Sequence, residues 1–174
     1  MENYIRLLRR VPDLSGKETT TTTSMTFFTS EYESKIDPKG RLVLPARIKS
    51  QLPAPQGDEG EELVVRKGFE QCLILYPMAE FRKIFSKISG LNEFNEEYRT
   101  LQRNFLSGVV TLELDGNGRF LLPKPMLAYA QIEKEALLVG MGNKVEIWNP
   151  EIYRKHLITD PAELSKLAEK HLNE

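Results

Sequence analysis

The chain has 174 residues, 40% of them hydrophobic, and sets 24 lysines and arginines against 25 aspartates and glutamates for a net charge of −1. That length buries one good core but leaves each half marginal on its own, and the balanced charge excludes a global attraction to polyanions, so any nucleic-acid site must be local. A single cysteine excludes a disulfide framework or thiolate metal site, and no run approaches the ~20 apolar residues of a membrane-spanning helix.

Residues 1–24 combine a short basic stretch with five consecutive threonines, Thr19 to Thr23, and carry too little apolar surface to offset ordering entropy, so disorder, or an arm fixed only by a neighbour, is expected there. The opening residues lack the apolar centre of a secretory signal, which predicts a cytoplasmic protein. From Glu31 the chain alternates polar and apolar residues through Asp37 and again from Arg41 to Leu44, the pattern of two half-buried strands around a tight turn. Pro45 to Leu52 reads as a brief helix, with proline suited to its first turn. Pro53 to Glu62, rich in proline, glycine and acidic residues, reads as a surface loop. Leu63 to Val65 and Cys72 to Tyr76 predict two further strands, and Cys72 falls in an apolar run that predicts a buried packing thiol. Phe81, Ile84, Phe85 and Ile88 fall at helical spacing, as do Phe94, Tyr98, Leu101 and Phe105, and both sets are expected in the core.

The second half repeats this order. Strands are predicted over Thr111 to Asp115 and Arg119 to Leu122, a helix over Pro123 to Ala130, and strands over Ala136 to Val139 and Lys144 to Trp148. A last helix, opened by Asp160 before Pro161, carries Leu164, Leu167, Ala168 and Leu172 on one face; without a counterpart in the first half, it is a candidate to serve a neighbouring subunit. The organisation expected is a first module at 25–90, a helical connector at 91–110, a second module at 111–155 and a C-terminal helix at 156–174.

The repetition extends to individual residues. Ile36-Asp37-Pro38-Lys39-Gly40-Arg41-Leu42-Val43-Leu44-Pro45 returns as Leu114-Asp115-Gly116-Asn117-Gly118-Arg119-Phe120-Leu121-Leu122-Pro123, and Gly68-Phe69 returns as Gly140-Met141. Two copies are too few for a solenoid, so the halves are expected to pair and share a core. Within each motif, aspartate, a three-residue loop and a glycine suited to a left-handed conformation predict a tight turn that sets Asp37 opposite Arg41 and Asp115 opposite Arg119. One role for such a pair is structural, closing a hairpin. Another is recognition: a guanidinium captures phosphate or a guanine edge bidentately, and a neighbouring carboxylate holds the fork in one orientation. Both roles can hold together. Residues 35–49 carry Lys35, Lys39, Arg41, Arg47 and Lys49 against Asp37, a local balance of +4, whereas the matched window 113–127 is neutral; the first copy is therefore expected to carry more of any DNA contact. Enzymatic chemistry finds no support: His156 and His171 lie in the C-terminal helical region, there is no nucleophile motif or metal-ligand spacing, and Gly116-Asn117-Gly118 leads into a strand rather than the helix of a phosphate-cradling loop. No cofactor and no small-molecule substrate are expected.

The doubled D-x-x-x-R motif, each copy entering an apolar strand that ends at proline, resembles the MraZ family of bacterial transcriptional regulators with an AbrB-like fold, over about Met25 to Tyr153. The resemblance implies an α+β protomer of two tandem AbrB-like modules, of the swapped-hairpin or double-split β-α-β kind, forming a shared β-rich core with peripheral helices. It implies a ring-shaped homo-oligomer, such as an octamer or dodecamer, that binds double-stranded promoter repeats upstream of the division and cell-wall gene cluster and represses it, and hence nucleoid association. Asp37, Arg41, Asp115 and Arg119 carry over as motif residues, with Gly40 and Gly118 in the turns; local charge adds Lys35, Lys39 and Arg47 as DNA contacts. The competing reading is an AbrB-like scaffold or antitoxin-type module that binds another protein; such modules usually hold one copy and a disordered tail.

Overall fold

A computed structural model of the chain describes residues 9–12, 18–21, 27–53 and 62–172. In the stretch expected to be disordered, β1 (Arg9–Pro12) and β2 (Glu18–Thr21) pair antiparallel. The threonine run enters β2, in keeping with the extended preference of β-branched residues. The rest of residues 1–24 and most of the expected surface loop, residues 54–61, lie outside the described residues.

The first repeat supplies β3 (Glu31–Lys35), β4 (Arg41–Val43), α1 (Ala46–Lys49), β5 (Leu63–Lys67) and β6 (Leu73–Pro77), followed by α2 (Met78–Ser89) and α3 (Glu96–Leu106). The second supplies β7 (Val110–Leu112), β8 (Arg119–Leu121), α4 (Lys124–Tyr129), β9 (Glu135–Gly140) and β10 (Val145–Trp148), followed by α5 (Pro150–His156) and α6 (Pro161–Leu172). The architecture is mixed α and β, built on antiparallel pairing. Each predicted strand and helix occurs within a few residues of its expected position; α5, which leads from β10 and ends before Leu157 to Asp160, is a helix that no periodicity had marked.

Six strands form one sheet in the order β3-β9-β10-β6-β5-β7. The order reads the same from either edge once equivalent strands of the repeats are exchanged. Each repeat lends its first strand to the other: β3 pairs with β9, Tyr32 opposite Leu138, and β7 pairs with β5, Val64 opposite Thr111. The remaining strands, β4 and β8, form a separate two-stranded ribbon. The hairpins read from the sequence are therefore short. Beyond the Asp37 turn, β3 and β4 share only the Ile36–Leu42 bridge and a hydrogen bond donated by Ser34 Oγ to the Val43 carbonyl. The partners of both strands come from the other repeat.

Alternation along the strands divides the core. Leu63, Val65, Leu73, Leu75, Leu138 and Ile147 face one side, where Leu42 and Phe120 of the ribbon, Ile48 of α1 and Met126 of α4 meet them. Val64, Ile74, Tyr76, Leu137, Val139 and Trp148 face the other, under Phe81 of α2 and Phe105 of α3. A sheet covered on both faces explains why these strands read as nearly continuous apolar runs. Cys72 is fully buried, and burial followed by the nearby Glu146 and Glu70 charges pushes its thiol up to about 12, so it is a packing group. Arg66 is the one buried charged residue among those described; its guanidinium lies 4.4 Å from the Phe105 ring centroid and donates to the Lys67 carbonyl and the Tyr76 hydroxyl.

The helices depart from expectation on one point. Phe81 and Phe105 are buried, but Phe85, Tyr98 and Leu101 are exposed and Phe94, in the loop before α3, is 86% exposed. Helical spacing identified the apolar stripe of α2 and, from Tyr98 onward, that of α3, but both helices contact the sheet along only part of it. Asn95 caps α3 through hydrogen bonds from the Glu97 and Tyr98 amides, and Asp160 accepts from the Ala162 amide at the start of α6, as expected.

The repeated glycine at 68 and 140 has a steric cause. A β-carbon at Gly140 would stand 2.4 Å from the Thr29 amide nitrogen, and one at Gly68 would stand 2.4 Å from Cys72 Sγ. At Gly140 the obstacle is backbone, which cannot swing aside. Gly140→Ala is expected to lower stability by about 1–3 kcal/mol, the usual penalty of overpacking, measured by denaturant unfolding; an unchanged midpoint would contradict the close approach.

Candidate nucleic-acid interface

The two motifs fold into the same turn. In the first, the Gly40 amide donates to the Asp37 carbonyl at 2.9 Å and the Asp37 amide donates to the Arg41 carbonyl at 3.0 Å. Asp37 Oδ1 accepts from the Lys39 and Arg41 amides, both at 2.9 Å, and Oδ2 accepts from Arg41 Nε at 2.6 Å. In the second, Asp115 Oδ1 accepts from the Asn117 and Arg119 amides at 2.9 Å, and Oδ2 from Arg119 Nε at 2.8 Å. Gly40 and Gly118 sit at φ +84° and +69°, the left-handed region that a β-carbon disfavours. One carboxylate oxygen thus closes the turn while the other aims the arginine. Among the described residues each of these guanidiniums is hydrogen-bonded through Nε, and its two terminal nitrogens make no hydrogen bond to the protein.

The turns are joined by the ribbon. Arg41 stands opposite Leu121, Leu42 opposite Phe120, and Val43 opposite Arg119. The Leu44 amide donates to the Gly118 carbonyl at 2.9 Å and the Leu122 amide to the Gly40 carbonyl at 3.0 Å, so each strand finishes on the other repeat's turn. Leu42 and Phe120 point into the core, which turns Arg41, Val43, Arg119 and Leu121 to the outer face. Arg41 and Arg119 are diagonal neighbours, a relation that sets residues about 7–8 Å apart. Both side chains are about one-third exposed.

Of the residues selected from sequence, Arg41, Arg119 and Lys39 come together on the ribbon and its turns, with Asp37, Asp115, Gly40 and Gly118 forming those turns. Arg47 is exposed on α1. Lys35 is exposed on β3, off the ribbon, in register with Glu135 of β9.

Exchange between repeats also redistributes charge. A β-carbon at Gly118 would lie 3.9 Å from Lys49 Nζ, so a lysine counted with the first copy reaches over the turn of the second. At Gly40 the corresponding neighbour is Leu127, whose Cδ1 would lie 3.6 Å away, beside Leu121 Cδ1 at 3.7 Å. The window balance of +4 against zero therefore overstates the asymmetry. Lys49, Val43 and Leu121 were missing from the sequence-selected set; period-two alternation through 41–43 and 119–121 was a signal for the last two.

Most of the chain compares closely with known proteins. It matches the family model described as "MraZ protein, putative antitoxin-like" twice, over residues 27–104 and 105–173. The chain belongs to the MraZ family. A protein of Cytophaga hutchinsonii named Transcriptional regulator MraZ is 57% identical over 148 residues, covering 85% of this chain and 96% of that relative. Proteins of the same name from Christiangramia forsetii and Carboxydothermus hydrogenoformans are 41% and 36% identical, covering 80% and 82% of this chain and 88% and 95% of theirs. The two matched segments divide the chain near the end of α3, one per repeat.

Both aspartates have lowered carboxyl pKa values, chiefly because they accept the Arg41 and Arg119 amides, with the guanidinium bonds adding to the effect against opposing desolvation. A carboxyl whose folded pKa lies below its ordinary 3.8 stabilises the fold fully above that value and loses the contribution as pH falls through the folded pKa. Carboxyl carbon NMR titration is expected to place both midpoints below 3.8, with turn stability constant at neutral pH. A midpoint at or above 3.8 for either aspartate would contradict the turn geometry.

Proposed function

We propose that the protein is a cytoplasmic, nucleoid-associated, sequence-specific DNA-binding transcriptional regulator that uses the β4–β8 ribbon as its reading surface. The observation that carries this reading is the pair of carboxylate-oriented guanidiniums on one exposed face. A two-stranded ribbon fits the major groove, where arginine's favoured base contact is the guanine O6/N7 edge. In this account Arg41 and Arg119 read base edges, and Lys39, Arg47 and Lys49 contact phosphates on either side. Lys35, off the ribbon and in register with an acidic residue, contributes least. Family membership and the names of the relatives support the regulatory role.

We also read the exchanged strands as two AbrB-like swapped-hairpin modules fused in one chain, at 25–90 and 111–155, with the regulator repressing the division and cell-wall gene cluster that includes its own promoter. One near-neutral protomer with a handful of phosphate contacts binds weakly at physiological salt. Assembly into a ring on tandem DNA repeats makes later contacts intramolecular and raises avidity by ~10²–10⁴. Exposed Leu164, Leu167 and Leu172 on α6, together with Phe85 and Phe94 beside an open groove of about 570 Å³, supply apolar surface for such assembly. An antitoxin-type module with a wrapping tail is disfavoured by the helical course of α5 and α6.

Gel-shift assays on the DNA upstream of the protein's own gene, with random DNA as competitor, test the reading. Arg41→Ala is expected to abolish promoter retention while leaving particle size unchanged, and Arg119→Ala to weaken it less; full affinity in Arg41→Ala would remove Arg41 from the interface. Lys49→Ala is expected to reduce the slope of log affinity against log salt by about one per bound protomer, and an unchanged slope would exclude its phosphate contact.

A further inference from the structure

The two aliphatic side chains on the outer face of the ribbon have no role in the fold that their neighbours do not already fill. Val43 is 48% exposed and Leu121 56% exposed, whereas Leu42, Leu44, Phe120 and Leu122 carry the buried side of the same strands. They occupy the same position of the two repeats, six residues after the motif aspartate. A half-buried strand ordinarily places polar residues on its solvent face, so two matched aliphatics there are unexpected in a surface built only to be wetted. Each also stands directly opposite an arginine: Leu121 across from Arg41, Val43 across from Arg119. Such cross-strand neighbours lie about 4.5–5.5 Å apart at their β-carbons, close enough to address the same or adjacent base pairs. The Leu121 side chain leans over the first turn, with Cδ1 within 3.7 Å of a β-carbon built at Gly40.

We infer that Val43 and Leu121 are specificity-determining residues that contact the 5-methyl groups of thymine in the major groove, each beside the base read by the arginine opposite. This rests on the proposed placement of the ribbon in that groove. Among the groups that base edges present there, the thymine methyl is the apolar one, and aliphatic side chains are its natural contacts. The ribbon then offers two composite reading heads, Arg41 with Leu121 and Arg119 with Val43, each drawn from both repeats.

The test replaces each thymine of a footprinted operator, one at a time, by deoxyuridine, which removes the methyl and nothing else. With the unaltered protein, at least one position in each bound site is expected to lose about fourfold in affinity, the effect of one buried methyl-sized group. Val43→Ala and Leu121→Ala, checked for unchanged particle size and thermal melting, are each expected to become insensitive to deoxyuridine at the corresponding position, so that protein and DNA changes are not additive. Operators indifferent to deoxyuridine everywhere would overturn the inference without any variant. So would variants that remain as sensitive as the unaltered protein. If binding still depends on Arg41 in those cases, the ribbon remains the DNA surface and methyl reading alone fails; if the protein does not retain operator DNA at all, both readings fall.

Discussion

The antiparallel pairing of two three-residue strands, one from each repeat, is the constraint on which the rest of the molecule depends. β4 and β8 are too short to persist as an isolated pair. They hold because Leu42 and Phe120 are buried against the central sheet and because each strand's following amide, from Leu44 or Leu122, is fixed on the other repeat's turn glycine. Neither repeat could bury its apolar strands alone. Exchange of β3 and β7 commits both repeats to one core, and this in turn holds the two turns side by side.

What the turns contribute is orientation. An exposed arginine has many rotamers, and immobilising it on binding costs conformational entropy. Here Asp37 and Asp115 engage the Nε nitrogens before any ligand arrives, while the same carboxylates close the loops through backbone amides. The pairs are partly exposed, so their value lies less in stability than in arranging charge. A protein with net charge −1 can present a basic face only by concentrating cations, and Lys49 reaching across to Gly118 adds to that concentration at the turn where the local sequence is neutral.

Much of this was legible because turn chemistry and strand alternation are local. Asp37 to Arg41 identifies the turn, and the alternation that buries Leu42 predicts which neighbours face outward. The repeat itself announced a shared core. Partner choice was not legible: nothing in Glu31 to Lys35 says whether its neighbour is β4 or β9, since period two reports a buried face and not what covers it. The same limit explains Phe85 and Tyr98, whose helical spacing is correct but whose side of the helix the sheet does not reach. It also explains Lys49, counted with its own copy until the interleaved fold set it over the other.

The most direct measurement is the structure of the assembled protein bound to a duplex carrying its operator. The account predicts the β4–β8 ribbon in the major groove, with Arg41 and Arg119 at base edges and still bound through Nε to Asp37 and Asp115. A complex in which the ribbon faces solvent or another subunit, while DNA lies against a different surface, would contradict it.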